Sequence, residues 1–347
     1  MMNSFAKKIH NTLRDFSDNN KYFNSLYVFY RRIQFSLQGA VVNTKRYLRS
    51  KGIGGAKYKK LLDYNGIHNG ERCFIIATGP SLTMEDLESL KNENTISMNS
   101  ICKLYDKTKW RPTYFAVQDN LVFEKLQELI RKHKEVPVFI SDNIPGKFKR
   151  EKEWIEFPTD TKYHSYDILQ KKYYAKFSDD AYDIVYDGYS IAYSCIELAV
   201  YMGFKEIYLL GADCTYLGEK EHFVDSGVED RARKYATPKL IVGYEKVKEY
   251  ADSHGIKVYN ATRGGVLEVF PRVALEDVLK REEISASVLG GGVALPHGMA
   301  NLVIKPAVVI MKCAQRTEWQ DGCVDIVFLL APVSYTHLRA HETKANL

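Results

Sequence analysis

The stretch Arg72–Leu82, RCFIIATGPSL, decides the fold class of this 347-residue chain. Its first part, Arg72–Thr78, is a β-rich apolar run that ends at a Gly-Pro pair. A helix is predicted directly afterwards over Met84–Lys91, with Thr83 as its N-cap and acidic residues in its first turn. A strand, a glycine turn and a helix in this order are typical of a βα unit in an α/β protein.

The turn itself, Gly79-Pro80-Ser81, is a candidate nucleotide-binding loop. Glycine allows backbone N–H groups to come close to a phosphate, and the N-terminus of the following helix favours an anion. Ser81 adds a hydroxyl donor. The same tripeptide also occurs in ordinary βα turns, so the motif alone leaves both interpretations open.

The pattern of short apolar runs and helical stretches continues on both sides of this turn. Strands are predicted at Thr95–Met98, Tyr114–Val117, Pro137–Ser141, Glu206–Gly211 and Ile256–Tyr259, and helices at Phe123–Lys134, Ser190–Met202, Lys239–Ser253 and Val273–Lys280. This alternation predicts a Rossmann-like α/β fold with a mostly parallel sheet and helices on both faces. Residues 145–187 show no clear period, which leaves a lid and an inserted helical subdomain as alternatives.

Ligands of such sheets bind at the carboxyl ends of the strands, and several polar residues fall there. Asn99 follows the second strand, Gln118 and Asp119 follow the third, and Gly211 and Asp213 close the run EIYLLGAD. An amide can bind a base or a ribose, and an aspartate can hold a ribose hydroxyl or Mg²⁺. Helix capping and Asx-turns are the structural alternatives for each of these residues.

Two further segments add candidates. The segment YNATRGG, residues 259–265, places Thr262, Gly264 and Gly265 in a second glycine-rich turn able to face an anion, with Arg263 available for a phosphate or a carboxylate. His222 lies in a loop beyond Asp213 and is the candidate general acid or base, because histidine titrates near neutral pH. A solvated histidine without a catalytic role is the alternative.

The first 60 residues differ in charge from the rest of the chain. They contain 13 of the 49 Lys and Arg residues and two of the 43 Asp and Glu residues, a net charge of +11 against −5 for the remainder. Within this basic amphipathic helical arm, residues 1–64, apolar side chains recur at helical spacing. Residues 22–60 are therefore a candidate for peripheral contact with an anionic membrane, with packing on the chain's own domain or on a second copy as the alternative.

The remaining composition limits the other functional classes. Six cysteines without CxxC spacing argue against a zinc site and a disulfide scaffold, and no apolar run is long enough for a bilayer span or a signal peptide. A cytoplasmic location is expected, on the inner face of the plasma membrane if the arm binds lipid. Nucleic acid is not an expected partner, because the domain is acidic and lacks a known binding module.

The last part of the chain breaks the α/β rhythm after Glu283. Residues 333–343, VSYTHLRAHET, resemble one reading frame of a common transposase sequencing adapter. We interpret residues 284–347 as a non-native tail and assign no role to His337 and His341. The functional domain is then residues 65–283.

The ordered series IIATGPSL, SMNS, QDN, GYSIAYSCIELAVYMGFKEIYLLGADCTY and YNATRGGVLEVFPR resembles the MptE-like family, named for 6-hydroxymethylpterin diphosphokinases, over residues 73–279. It is also similar to the family 42 sialyltransferases, whose nucleotide loop matches Gly79-Pro80-Ser81 and whose Asn-bearing strand matches Asn99. The resemblance departs at Ala77, where many relatives carry Gly, and at Arg263, where many carry an acidic residue. The tyrosine pair and the base histidine of the sialyltransferases have no clear match in this sequence.

The resemblance implies a transferase in bacterial surface-glycan synthesis. The first hypothesis is a glycosyltransferase that moves an acidic sugar from a CMP-type donor to a glycan or lipid-linked acceptor, with no tightly bound cofactor. The second is an ATP-dependent pyrophosphokinase acting on a pterin-like alcohol, with Asp213 as a Mg²⁺ ligand. The third is a non-catalytic accessory protein of glycan assembly.

Overall fold

The structure is a computed structural model that describes residues 21–166, 169, 172–215, 223, 224, 227, 233–284, 288–290, 293, 294, 307–319 and 322–331. It begins with a long helix, α1 (Lys21–Ser50), followed by a 3₁₀ helix over Ala56–Tyr64. The predicted helical arm is confirmed where it is described. No helix in these ranges has the length and apolar character needed to cross a membrane.

A seven-stranded parallel sheet follows the arm. In chain order its strands are β1 (Arg72–Ile76), β2 (Thr95–Met98), β3 (Tyr114–Val117), β4 (Val138–Ser141), β5 (Ile155–Phe157), β8 (Glu206–Leu210) and β9 (Lys257–Asn260), and a separate parallel pair is formed by β6 (Thr159–Asp160) and β7 (Val185–Tyr186). Across the sheet the order is β5-β4-β3-β2-β1-β8-β9. The central strands are buried along their whole length because helices cover both of their faces.

The helices of the domain are α2 (Met84–Ser89), α3 (Asn120–Lys132), α4 (Ile191–Tyr201), α5 (Arg233–Ser253) and α6 (Leu275–Ile284). Local sequence explains where they begin: Thr83 caps α2 in a reciprocal capping box with Asp86, and Ser190 caps α4. Helix α4 is mostly apolar, is buried on nearly all sides and lies in the core, whereas α3 buries one face. The predicted Rossmann-like fold with helices on both faces is confirmed.

The region without a clear sequence period, residues 145–187, contributes strands. Strand β5 pairs with β4 at the edge of the main sheet, and β6 pairs with β7. Buried Glu197 on α4 anchors this region to the core. Its two carboxyl oxygens accept hydrogen bonds from the backbone N–H groups of Ser178 and Tyr186, each at 2.6 Å. The segment was difficult to predict because its strands are two and three residues long.

Helix α1 packs on the domain through one face and exposes another. Arg46 Nε donates to Asp183 at 2.8 Å, and Phe35 makes an edge contact with Tyr163 at 5.6 Å between ring centroids. On the outer face, large apolar side chains remain in solvent, among them Phe29, 60% exposed, and Ile33, 46% exposed. One face of α1 therefore packs on the chain's own domain, as one of the two alternatives predicted. No described residue covers the apolar stripe on its outer face.

The end of the chain forms a second, four-stranded sheet. Its strands are β10 (Val288–Gly290), β11 (Val293–Ala294), β12 (Ala307–Trp319) and β13 (Gly322–Ala331), in the order β10-β11-β13-β12. The adapter-like residues 333–343 lie outside the described residues. The interpretation of residues 284–347 as a non-native tail stays a prediction.

Candidate functional site

A cleft of about 1190 Å³ lies over the carboxyl ends of the central strands. Strand β1 lies between β2 and β8 in the sheet. The strands that follow β1 in the chain, β2 to β5, are added on one side of it, and the later strands β8 and β9 are added on the other side. A crevice opens at this switch point. The cleft is lined by the ends of β1, β2, β3 and β8, by the segments 159–164 and 187–192, and by one face of α1. The strand-end rule applied to the sequence thus indicated the edge of the sheet at which this cleft lies.

Gly79 stands where the loops after β1 and β8 meet. Its N–H donates to the carbonyl oxygen of Gly211 at 2.8 Å, and an added Cβ would lie 2.3 Å from that oxygen and 1.9 Å from Asp213 Oδ2. No other residue fits this close approach. Because Pro80 has no N–H and the Gly79 N–H is engaged, a role for this loop in phosphate binding stays a prediction.

Asp213 joins three loops. Its carboxylate accepts the Ser81 hydroxyl at 2.8 Å, and its carbonyl oxygen accepts the N–H of Val266 at 2.8 Å. Burial raises the pKa of the Asp213 carboxyl above its ordinary value, an effect that the hydrogen bonds from Ser81 oppose. Within the described part of the chain no group of three side chains suited to a metal ion is found, and a role for Asp213 as a Mg²⁺ ligand stays a prediction.

Asn99 has the clearest signs of a ligand-binding role. It lines the cleft, and its backbone has φ 50°, in the left-handed region that residues other than glycine seldom occupy. Its Oδ1 atom is buried and has no hydrogen-bond partner among the described residues. A buried amide oxygen without a partner costs free energy, and a ligand donor in the cleft would remove that cost.

The two polar residues after β3 have different partners. Gln118 lines the cleft, and its Oε1 accepts the hydroxyl of Ser194 on α4 at 2.7 Å, which fixes the amide. Asp119 also lines the cleft, but its Oδ1 accepts the N–H groups of Leu121 and Val122 and so caps α3. Helix capping, the structural alternative for Asp119, therefore accounts for at least one of its carboxylate oxygens.

The second glycine-rich turn lies behind Asp213 and does not line the cleft. Thr262 accepts the N–H of Ala212 at 3.0 Å, and a Cβ at Gly265 would lie 2.1 Å from the carbonyl oxygen of Asp213. Gly264 lies in the same turn, whose carbonyl oxygens accept hydrogen bonds from Arg272. The turn supports the loop at Asp213, and a direct nucleotide contact from Thr262, Gly264 or Gly265 stays a prediction.

Arg263, in the same turn, is paired with carboxylates. Its guanidinium donates to Asp86 at 2.6 Å and to Glu276 at 3.1 Å. These two pairs join the turn to α2 and α6, outside the cleft. The structure therefore favours the carboxylate alternative for this residue.

A histidine that the sequence reasoning missed does line the cleft. His164 Nδ1 lies 2.5 Å from Asp187 Oδ2, and Asp187 is buried while half of the His164 side chain is exposed. Asp187 directly follows β7, so the strand-end rule would have identified it if that two-residue strand had been recognised. His222, the predicted acid or base, lies outside the described residues, and its role stays a prediction.

An open parallel sheet with a polar cleft at its switch point defines the class of Rossmann-like α/β proteins. Residues 49–219 match the family described as 6-hydroxymethylpterin diphosphokinase MptE-like. Residues 49–219 are therefore MptE-like, as the sequence motifs within them indicated.

Solved structures of two glycosyltransferases resemble this chain at low identity. A Maf glycosyltransferase from Magnetospirillum magneticum AMB-1 is 14% identical, with a TM-score of 0.41 over 67% of this chain and 41% of that one. The sialyltransferase CstII from Campylobacter jejuni, in complex with cytidine-5'-monophosphate, is 18% identical, with a TM-score of 0.39 over 59% of this chain and 86% of that one. This chain thus spans less than half of the Maf glycosyltransferase.

The end of the chain has a separate similarity. Residues 269–342 match the EIIA 2 family of the phosphoenolpyruvate-dependent sugar phosphotransferase system. The transcriptional regulator ManR of Bacillus subtilis (strain 168) is 37% identical over 51 residues, which is 15% of this chain and 8% of the regulator. None of the described residues within 269–342 lines the cleft.

Proposed function

We propose that this chain is a nucleotide-dependent transferase that binds a nucleotide-activated acidic sugar, of the CMP type, in the switch-point cleft and transfers the sugar to a glycan or lipid-linked acceptor. The MptE-like domain supports a transferase that uses an activated phosphate compound. The volume of about 1190 Å³ accommodates a donor and part of an acceptor together. The role in bacterial surface-glycan synthesis follows from the sequence resemblance alone.

The observation that carries the proposal is Asn99. A strained backbone and a buried amide oxygen without a partner, at the end of a central strand, are features that proteins retain at ligand sites. The base or ribose of the donor offers N–H and O–H groups to that oxygen. Gln118 lies on the next strand in the same cleft and adds a second amide for the nucleoside.

The chemistry requires a base for the acceptor hydroxyl, and His164 is placed to provide it. His164 lines the cleft, and its Nδ1 is hydrogen-bonded to the Asp187 carboxylate at 2.5 Å. The proposal assigns uptake of the acceptor proton to the other ring nitrogen, Nε2. In the proposed step the acceptor oxygen attacks the anomeric carbon, and the bond from that carbon to the phosphate oxygen breaks. The hydroxyl proton passes to Nε2, and the nucleotide leaves with the bonding electron pair.

The pyrophosphokinase alternative is favoured by the description of the family. It assigns Asp213 to Mg²⁺, whereas the Asp213 carboxylate accepts the Ser81 hydroxyl. Phosphoryl transfer from ATP depends on Mg²⁺, and direct transfer of a sugar from a CMP donor does not. Metal dependence therefore separates the two functions.

The test is a thermal-shift series on the full chain with CMP, CDP, UDP, GDP and ATP, each with and without Mg²⁺. A ligand at a hundredfold excess over its Kd adds about 2.7 kcal/mol of apparent stability. Stabilisation by CMP or CDP without metal is the expected result. Stabilisation by ATP alone, and only with Mg²⁺, would instead establish the kinase alternative. Binding without turnover of any donor would favour the accessory protein.

The proposal places the enzyme at a membrane surface through α1. This helix contains six basic residues and no acidic residue, and its exposed stripe includes Leu26, Phe29 and Ile33. An amphipathic helix of this kind binds anionic lipid by burying apolar side chains next to its cations.

Co-sedimentation with vesicles tests this placement. The full chain is expected to bind vesicles that contain phosphatidylglycerol and not pure phosphatidylcholine vesicles. The double variant Phe29→Ser, Ile33→Ser should lose most of that binding. Val266→Ser, which removes an exposed apolar side chain from the domain, is the matched control. Equal binding by the double variant would contradict the membrane role of α1.

A further inference from the structure

Helix α1 forms one wall of the cleft. Its lining residues recur at helical spacing on a single face and are Arg31, Gln34, Leu37, Gln38, Val41, Val42 and Lys45. This wall is anchored to the domain, because Arg46 pairs with Asp183 and Arg49 donates to the carbonyl oxygen of the same residue. The arm is therefore part of the site and not only an appendage.

Three cations stand along this wall. Arg31 and Lys45 belong to α1, and Lys162 approaches from the opposite side, with its ammonium 3.2 Å from the position of a Cβ at Gly39. The Lys162 ammonium also lies 4.8 Å from the centroid of the Phe35 ring. Arg31 donates to the neutral side chain of Gln34. Within the described residues, no carboxylate forms an ion pair with any of the three.

The four aspartates that line the cleft have partners inside the protein. Asp119 caps α3, Asp160 accepts the backbone N–H of Lys162 at 2.7 Å, Asp187 binds His164, and Asp213 accepts the Ser81 hydroxyl. The carboxylates of the cleft are thus engaged by donors of the protein, and the Lys162 ammonium also acts on the Asp160 carboxylate through its charge. Because none of the three cations of the arm-side wall is held in an ion pair among the described residues, they can bind the anions of a ligand.

The cations form a row. Arg31 and Lys45 are separated by 14 residues, which is about 21 Å along a helix axis at 1.5 Å per residue. Gly39, where the Lys162 ammonium lies, comes between them. A row of this length suits an extended ligand with more than one anionic group better than a single phosphate ion.

From these observations we propose that Arg31, Lys162 and Lys45 form the subsite for the phosphate-bearing part of the substrate. The inference rests on the proposed transferase function and assigns phosphate binding to the arm, since the Gly79 N–H is engaged with Gly211. Two ligands carry the required group: the donor nucleotide and a lipid-linked acceptor with a phosphate. The subsite binds a phosphate ester in either case.

The experiment compares Arg31→Gln and Lys45→Gln with Arg32→Gln, in the full chain. Arg32 neighbours Arg31 and carries the same charge, but it is exposed and does not line the cleft. Binding of CMP, of CDP and of a short polyprenyl phosphate in detergent micelles is measured by titration calorimetry. Loss of a charge-assisted contact should weaken binding about tenfold or more, whereas Arg32→Gln should stay within about twofold of the wild type.

The outcomes separate the sources of the phosphate. Weaker nucleotide binding in either lining variant identifies the donor, and weaker binding of the polyprenyl phosphate alone identifies the acceptor. If the wild type binds these ligands and the lining variants bind them equally well, the subsite is refuted while the proposed function stands. If the wild type binds neither nucleotide nor polyprenyl phosphate, both proposals fail.

Discussion

The N–H of Gly79 lies 2.8 Å from the carbonyl oxygen of Gly211, so the loops that end β1 and β8 are hydrogen-bonded to each other. Asp213 strengthens the same junction, because its carboxylate accepts the hydroxyl of Ser81 at 2.8 Å. The two loops come from opposite sides of the topological switch point. Their junction therefore fixes one side of the cleft that Asn99 and the arm also line.

Gly79→Ala should destabilise the chain and weaken ligand binding. The new Cβ would lie 2.3 Å from the Gly211 carbonyl oxygen, so backbone must move to admit it. Overpacking of this kind costs about 1–3 kcal/mol. Urea denaturation gives the change in the free energy of unfolding, and calorimetry with CMP gives the change in affinity.

Gly146→Ala is the matched control for this substitution. A Cβ at Gly146 meets nothing within 4 Å, so the same chemical change should alter stability by less than about 0.5 kcal/mol. If both variants unfold at the same urea concentration as the wild type, the close junction between the two loops does not exist in solution.

Two substitutions at Asn99 separate the effect of backbone strain on stability from the effect of the amide on ligand binding. Asn99→Gly removes the amide but suits the backbone, whose φ is 50°, whereas Asn99→Ala removes the amide and increases the strain, because alanine tolerates the left-handed region less well than asparagine. Both variants should bind CMP at least tenfold more weakly, because both lack the unpartnered oxygen. Only Asn99→Ala should also lose stability, by about 1 kcal/mol.

Calorimetry and thermal unfolding of the two Asn99 variants supply the two measurements. An Asn99→Gly variant that keeps the affinity of the wild type would show that the residue serves the backbone turn and not the ligand.

His164 should affect turnover more than binding. In His164→Ala the donor still has its contacts with the cleft, but the acceptor hydroxyl has no base, so the rate should fall about 100-fold or more. The measurement is release of CMP from a CMP-linked acidic sugar, with water or an added glycan as acceptor. Added imidazole should restore part of the rate by replacing the missing ring. A variant with unchanged turnover would remove His164 from the mechanism.

Much of the fold could be predicted from the sequence. Thr95–Met98 and Tyr114–Val117 were located without error, because buried parallel strands are short apolar runs bounded by turn residues. The edge strand β5 and the pair β6–β7 were missed, since they are too short to show a period. Their absence from the prediction also concealed the link between His164 and Asp187, residues 23 positions apart.

The site was predicted less completely than the fold. The strand-end rule placed Asn99, Gln118 and Asp213 on one edge, but it does not distinguish a side chain that faces a ligand from one that holds a loop. Asp213 accepts the Ser81 hydroxyl, whereas the Asn99 oxygen has no partner in the described residues. Sequence also could not reveal that the arm lines the cleft, because this depends on tertiary contacts such as that of Arg46 with Asp183.

Glu197 should make the stability of the chain depend on pH. Burial raises the pKa of its carboxyl well above the ordinary value of 4.5, although the N–H groups of Tyr186 and Ser178 oppose this. A raised pKa means that the folded state binds the proton more tightly than the unfolded state. The resulting stability is complete below about pH 4.5 and is lost as the pH rises through the folded pKa.

Glu197→Gln removes this dependence and also places an NH₂ group against one of the two backbone donors. The loss of that hydrogen bond should cost about 1–3 kcal/mol. The stability difference between wild type and variant should therefore be largest near pH 4.5 and narrow toward pH 8, because only the wild type loses the proton. Urea denaturation at several pH values measures it, with the exposed Glu245→Gln on α5 as control. A gap that stays constant with pH would show that Glu197 has the same pKa in the folded and unfolded chain.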